Sequence, residues 1–252
     1  MDKNNIYMYF ENESFNQELL NNKKNIKYIK TNFDFNKIIH FNNNIKLEKL
    51  IFGNNFNKNI DLTNNINLTH LTFGDYFNKN LVLLNNINLL HLKFGYNFNH
   101  KINLLNNINL EYLIFGWKFN QLINLSNNNK LIYLEINGDY DKNIIIPKSV
   151  KTLKLNCCDN QYLIDNLSNN IEKLYILSCY NLNLDNLPNS IKKLYIEEYF
   201  EILNNLPNSI EYLEINIYNL KIKKIPTNLK TVKCDKNYKY INDFKNCNII
   251  YH

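Results

Sequence analysis

The chain has 252 residues, about a fifth of them Asn, and all 29 basic residues are Lys, for a net charge of +6. Without a single Arg it lacks the side chain that reads phosphate and guanine bidentately, which argues against sequence-specific nucleic-acid recognition. No apolar run reaches membrane-spanning length and the first residues lack the order of a secretory signal, so an intracellular, cytoplasmic protein with no membrane association is expected.

In chain order, residues 1–25 read as an N-terminal cap with a terminal strand at Tyr7 to Phe10. Residues 26–143 then repeat one phrase. Its strand centres are Ile29-Lys-Thr31, Leu50-Ile-Phe52, Leu71-Thr-Phe73, Leu92-Lys-Phe94, Leu113-Ile-Phe115 and Leu134-Glu-Ile136, each 21 residues after the last. A period of this size predicts a solenoid, in which each coil leaves an apolar face that only its neighbours bury. Alternation over Leu71-Thr72-Phe73 puts Leu71 and Phe73 inside and His70 and Thr72 on an open sheet face.

The return half of each coil, such as Phe77 to Ile87, is too short and too rich in Asn for a stable helix. It is expected to be extended, with Phe77 plugged inward, Leu81 and Leu83 alternating with solvent, and Asn85-Asn86 forming the turn; a helical return is the alternative. The glycines Gly53, Gly74, Gly95, Gly116 and Gly138 read as residues chosen for strained turn backbone where the chain leaves each strand.

From 144 to 236 the repeat changes wording. Phrases such as Leu187-Pro-Asn-Ser-Ile191 precede strands centred on Leu153, Leu174, Leu194, Leu213 and Val232, at spacings of 19, 21, 20, 19 and 19. Proline belongs in the turn before each strand, since it cannot donate to a ladder. Residues 237–252, with a terminal strand at Ile249 to Tyr251, read as the C-terminal cap. The expected architecture is mainly β: one repeat solenoid over 1–252, of about a dozen coils of 19–21 residues, with a parallel sheet on one face and extended or turn segments on the other.

No nucleophile-base order, Gly-rich phosphate loop or spaced Cys/His set occurs, so neither an enzyme nor a cofactor is expected. His70 and His91 share a column, but Lys49 and Tyr112 flank them and no third ligand is evident, so no metal site is expected. Cys158 and Cys179 share another column and read as buried thiols. The open face offers Lys49, His70, His91, Tyr112 and Tyr133 in one column and Ile51, Thr72, Lys93, Ile114 and Glu135 in the next, with Trp117 nearby. Aromatic and exposed aliphatic side chains are what interfaces enrich. The expected contact residues for a protein partner are therefore His70, His91, Lys93, Tyr112, Ile114, Trp117, Tyr133 and Glu135. Farther on, Lys154, Lys173, Tyr175, Lys192, Lys193 and Tyr195 offer an alternative, single-stranded nucleic acid held by charge and stacking, diluted by Glu172, Glu197, Glu198 and Glu201.

Two phrases carry a family resemblance: Leu187-Pro-Asn-Ser-Ile191 followed by Leu194 and Ile196, and Leu71-x-Phe73-Gly74 followed by Phe77-Asn78 and Leu81. They resemble the FNIP repeat, a leucine-rich-repeat relative found in social amoebae and in giant viruses of amoebae. The literal tetrapeptide is absent, since Lys58-Asn59, Lys79-Asn80, His100-Lys101 and Gln121-Leu122 follow the Phe-Asn pairs. The resemblance implies a binding scaffold. Some relatives carry an F-box, which would make the repeats the substrate-recognition part of a ubiquitin ligase; here the strand pattern has begun by Ile29, so no F-box of its own is expected.

Overall fold

The computed structural model describes residues 7–199 and 202–252; the first six residues of the expected N-terminal cap, and Glu201, lie outside them. The chain forms two compact units, Met1–Leu131 and Ile132–His252. The first holds β1 (Tyr7–Phe10), α1 (Gln17–Asn22), β2 (Tyr28–Thr31), β3 (Lys49–Ile51), β4 (His70–Thr72), β5 (His91–Lys93) and β6 (Tyr112–Phe115). The second holds β7 (Tyr133–Asn137), β8 (Thr152–Asn156), α2 (Gln161–Asp165), β9 (Lys173–Leu177), β10 (Lys193–Glu197), β11 (Tyr212–Asn216), β12 (Thr231–Cys234), a 3-10 turn (Ile241–Phe244) and β13 (Asn248–Tyr251).

Within each unit every strand pairs in parallel with the next in the chain, as a solenoid requires. Leu50, Leu71, Leu92 and Leu113 are register partners in the first unit, and Leu134, Leu153, Leu174, Leu194, Leu213 and Val232 in the second. Residues one repeat apart are thus true lateral neighbours, and the columns read from the sequence are physical columns. The return segments of the first unit's regular coils are extended: Leu81 and Leu83 are buried while Val82 faces outward, and Phe77 is fully buried. α-Helix occurs in two coils only among the described residues, where Asn16 and Asn160 cap α1 and α2 by accepting from the backbone N–H of Leu19 and Leu163, both at 3.1 Å.

Two columns of phenylalanine fill the first unit. Phe52, Phe73, Phe94 and Phe115 stack at 5.5–5.7 Å between centroids, and each also lies 3.8–3.9 Å from the plug phenylalanine of its own coil: Phe56, Phe77, Phe98 or Phe119. Each buried ring stabilises the stack by roughly 1.5–3 kcal/mol through lost water contact.

The asparagines are not what the sequence suggested. Asn85 is exposed, but Asn86 is fully buried between two turns, one on each side of it. Its Nδ2 donates to the carbonyls of Leu62 and Asn65 in the preceding coil at 3.1 and 2.9 Å. Asn44, Asn65, Asn107 and Asn128 do the same in their coils, which makes a polar ladder inside the first unit. A second ladder uses the Asn of each Phe-Asn pair: Oδ1 of Asn57 accepts from Asn78 N–H, Asn78 from Asn99, and Asn99 from Asn120, all at 2.9–3.0 Å.

The glycine reading also changes. Of the five, only Gly138 adopts a positive φ, at 78°. At Gly53, Gly74, Gly95 and Gly116 the reason is space: a Cβ on Gly95 would run into the backbone of Gly74, and one on Gly116 into that of Gly95.

The second unit solves the same positions differently. The residue six before the strand leucine, Asn86 in its coil, is Pro147, Ser168, Pro188, Pro207 or Pro226, and each keeps the carbonyl half of the turn, as in Ile191 N–H to Pro188 O at 3.2 Å. Plug positions are taken by Tyr140, Cys158, Cys179, Tyr199 and Tyr238, all buried. The Tyr199 and Tyr238 hydroxyls donate to the carbonyls of Leu182 and Leu220 in the preceding coil.

Candidate interaction surface

In the first unit, β4, β5 and β6 turn His70 and Thr72, His91 and Lys93, and Tyr112 and Ile114 away from the core. Register pairing aligns His70 with His91 and Tyr112, and Thr72 with Lys93 and Ile114. Planar side chains one strand apart meet face to face. The His70–His91 and His91–Tyr112 centroids are each 4.3 Å apart, with interplanar angles of 11° and 7°. Thr69 fixes the first ring: its hydroxyl donates to the Glu48 carbonyl at 2.9 Å, so it accepts from His70 Nδ1–H, also at 2.9 Å, and leaves Nε2 as the free acceptor.

Burial lowers the His70 pKa below the ordinary histidine value, with the neighbouring His91 and Lys49 charges adding to it and Glu111 opposing. His91 is lowered by burial and by Lys49, again against Glu111. Both imidazoles are therefore neutral near pH 7. Five of the expected contact residues, His70, His91, Lys93, Tyr112 and Ile114, thus share one face. Trp117 does not join their columns. It follows β6, 41% exposed, against Tyr96 at 6.3 Å, with the Lys118 ammonium 5.6 Å from the Tyr96 ring.

Tyr133 and Glu135 belong to the second unit. There the Tyr133 hydroxyl donates to Glu135 at 2.6 Å and Lys154 pairs with the same carboxylate at 3.3 Å. The arrangement recurs at β11, where Tyr212 donates to Glu214 at 2.8 Å and Lys233 pairs with it at 3.0 Å. Sequence reasoning missed Tyr212, Glu214 and Lys233, although the phrase Tyr-Leu-Glu-Ile-Asn stands at both 133–137 and 212–216 and could have revealed them. Between the two sets Tyr175 and Tyr195 stack at 4.0 Å. Tyr133, Lys154, Tyr175, Tyr195, Glu197 and Glu214 are among the walls of a hollow of about 340 Å³. Burial, then the Glu214 carboxylate, pushes Tyr212 up to about 12; burial with Glu135 raises Tyr133, and burial with Tyr175 raises Tyr195. These phenols stay protonated as hydrogen-bond donors.

Along the same unit Lys151 pairs with Glu172 at 3.1 Å and Lys230 with Glu211 at 2.7 Å. Of the lysines read as a phosphate-binding column, Lys154 is matched by a carboxylate, that of Glu135. All five cysteines are free thiols, and burial raises Cys158 to about 11 and Cys179 to about 12, which keeps them protonated and unreactive. Among the described residues no cluster of three or more His, Cys, Asp or Glu is arranged to hold a metal ion, and no helix is long and apolar enough to cross a membrane.

No family model matches the sequence, and no curated protein matches it. Among solved structures the chain is similar to CroV588, a giant-virus protein described as a novel circular LRR structure, with a TM-score of 0.64 and 26% identity over 91% of this chain and 40% of that one. It is also similar to the functional domain of InlJ from Listeria monocytogenes, described as including a cysteine ladder, with a TM-score of 0.51 and 13% identity over 86% of this chain and 59% of that one; at that identity the likeness is one of fold. The chain spans less than half the length of CroV588. The solved structures that it resembles are leucine-rich-repeat proteins, and it shares their solenoid fold.

Proposed function

We propose that the protein is a non-enzymatic scaffold of FNIP-type repeats, forming one solenoid over 1–252, whose open sheet face binds a protein partner. The observation that carries this reading is the His70–His91–Tyr112 pile with Lys93 and Ile114 beside it. Aromatic side chains already stacked and held by a rigid sheet lose little freedom on binding, which favours recognition. Trp117, and Tyr133 with Glu135, extend the set of contact residues. Leucine-rich-repeat solenoids serve generally as interaction scaffolds, which agrees with it. The free thiols suit a reducing compartment, and we place the protein in the cytoplasm, that of a host cell if it is viral.

The test compares proteins retained from amoebal lysate by the wild-type chain and by His91→Ala/Tyr112→Ala, with circular dichroism confirming that the variant is folded. A retained set that disappears with the variant supports the reading; an unchanged set sinks it. A second reading rests on the Tyr175–Tyr195 stack, which offers bases a place against aromatic rings. It requires binding to single-stranded oligonucleotides that falls steeply with salt, and no binding at low salt eliminates it. Substrate recognition for a ubiquitin ligase, with the F-box on another chain, is a special case of the first reading, recognised by a ligase adaptor among the retained proteins.

A further inference from the structure

One hollow of the first unit lies on its return segments and not on the open face. In the return segments buried and outward residues alternate, so Leu81, Leu83, Ile102, Leu104, Ile123 and Leu125 point inward. The outward positions between them are polar in most coils. The residue between the two buried ones is Asp61, Val82, Asn103 or Asn124 in successive coils, the residue after them is Thr63, Leu84, Leu105 or Ser126, and the residue before them is Asn59, Asn80, Lys101 or Leu122. Three neighbouring coils break the polar rule together. Val82 is 62% exposed, Leu84 45% and Leu122 66%, and with Leu105 they line a groove of about 470 Å³. Exposed aliphatic side chains gathered in a hollow, where adjacent coils show Asn, Ser or Thr, are not required by the repeat.

The surroundings have a sign. Lys101 lines the groove, and Lys58 and Lys79 each stand one residue before the first outward column in their coils, at Asn59 and Asn80. None of the three has an ion-pair partner among the described residues. Across the return segments 58–63, 79–84, 100–105 and 121–126 the one acidic residue is Asp61. Its carboxylate is already held by the hydroxyl and backbone N–H of Thr63, at 2.6 and 2.9 Å.

The geometry points to a second docking site on the return face of the first unit, for an acidic peptide segment of a partner protein that seats apolar side chains among Val82, Leu84, Leu105 and Leu122 while its carboxylates face Lys79 and Lys101. This site is separate from the open face and does not depend on the function proposed for that face. A hollow bounded by adjacent coils suits side chains in a row, and unmatched lysines beside it select negative charge.

A randomised display library of peptides, selected on the whole chain, tests the assignment. The repeat itself supplies variants that keep the fold: Val82→Asn and Leu122→Asn install residues that neighbouring coils carry in the same columns. Peptides enriched on the wild type should carry net negative charge and at least two large apolar residues. They should bind the double variant at least about tenfold more weakly and Lys79→Gln/Lys101→Asn several-fold more weakly, lose affinity with salt, and bind His91→Ala/Tyr112→Ala unchanged. Enrichment of basic peptides, of none, or of peptides indifferent to Val82→Asn/Leu122→Asn overturns the site. So does co-sedimentation with phosphatidylserine vesicles that these variants abolish, which would assign the groove to a membrane surface instead.

Discussion

The two units are built on the same inward leucines, yet they hold their coils together differently. In the first unit every coil is 21 residues long; in the second the spacings are 19, 21, 20, 19 and 19. The difference follows from the residue six before the strand leucine. Where it is Asn, its Nδ2 must reach two carbonyls of the preceding coil, at 2.9–3.1 Å for Asn86, Asn107 and Asn128, and a coil one residue longer or shorter would misplace both. Where it is Pro, nothing reaches back from that position. Hydroxyls that bond a single carbonyl of the preceding coil, Ser190 to Ile171 and Ser209 to Ile191, span 19 and 18 residues. A buried two-point ladder enforces a fixed period, and a proline column permits a variable one.

Exchanging the two residues breaks this comparison most sharply. Asn86→Pro removes both ladder bonds and the Asn86 N–H to Leu83 bond, and leaves the Leu62 and Asn65 carbonyls with only the backbone donors of their own turns. It should cost about 4 kcal/mol, read as a lower urea midpoint. The reverse change, Pro188→Asn, should stay within about 1 kcal/mol, because no carbonyl pair is waiting for it. A similar loss from both exchanges would show that the ladder does not distinguish the units.

Glycine gives the next largest effect. Gly95→Ala pushes a methyl into the backbone of Gly74, which has no flexible end to give way, and should destabilise by about 3 kcal/mol. Gly138→Ala, where only a φ of 78° must be held, should cost about 1–2 kcal/mol. The second unit already tolerates Cys157, Ser178 and Glu198 at φ of 55°, 52° and 49° in the corresponding position of its next three coils.

A smaller difference should appear with pH. His70 and His91 have folded pKa values below the ordinary one of about 6.5, so the unfolded chain binds more protons and stability falls as pH drops through that value. Chemical unfolding at about pH 7.5 and about pH 5.5 should show this loss, and His70→Gln/His91→Gln should reduce it. An unchanged pH dependence in the variant would remove the stacked imidazoles as its source.

Much of this was legible in the sequence, for a physical reason. A strict 21-residue period fixes lateral register, so spacing and alternation alone are enough to place Leu71, His70 and Tyr112 on their faces. The role of Asn86 was not legible: in a chain so rich in Asn, a buried ladder residue and an exposed turn residue look alike when they stand side by side as Asn85-Asn86. The glycines were found but explained by backbone conformation, because how closely coils approach cannot be read along one strand. Trp117 was read at the strand end beside the columns; it follows β6, and its ring lies against Tyr96, a contact that alternation along one strand does not reveal. The run Leu81-Val-Leu-Leu84 announces an exposed apolar pair, but alternation in a single coil does not tell that Leu105 and Leu122 gather beside it.

The open face is the account's central functional claim, and site-specific photo-crosslinking tests it most directly. A benzophenone-bearing phenylalanine analogue replaces Tyr112 in one protein and Asn64, an exposed turn residue, in another. After irradiation in amoebal lysate, discrete protein adducts should form from position 112 and not from position 64. Adducts equal at both positions, or absent from 112, would contradict an interaction surface on this face.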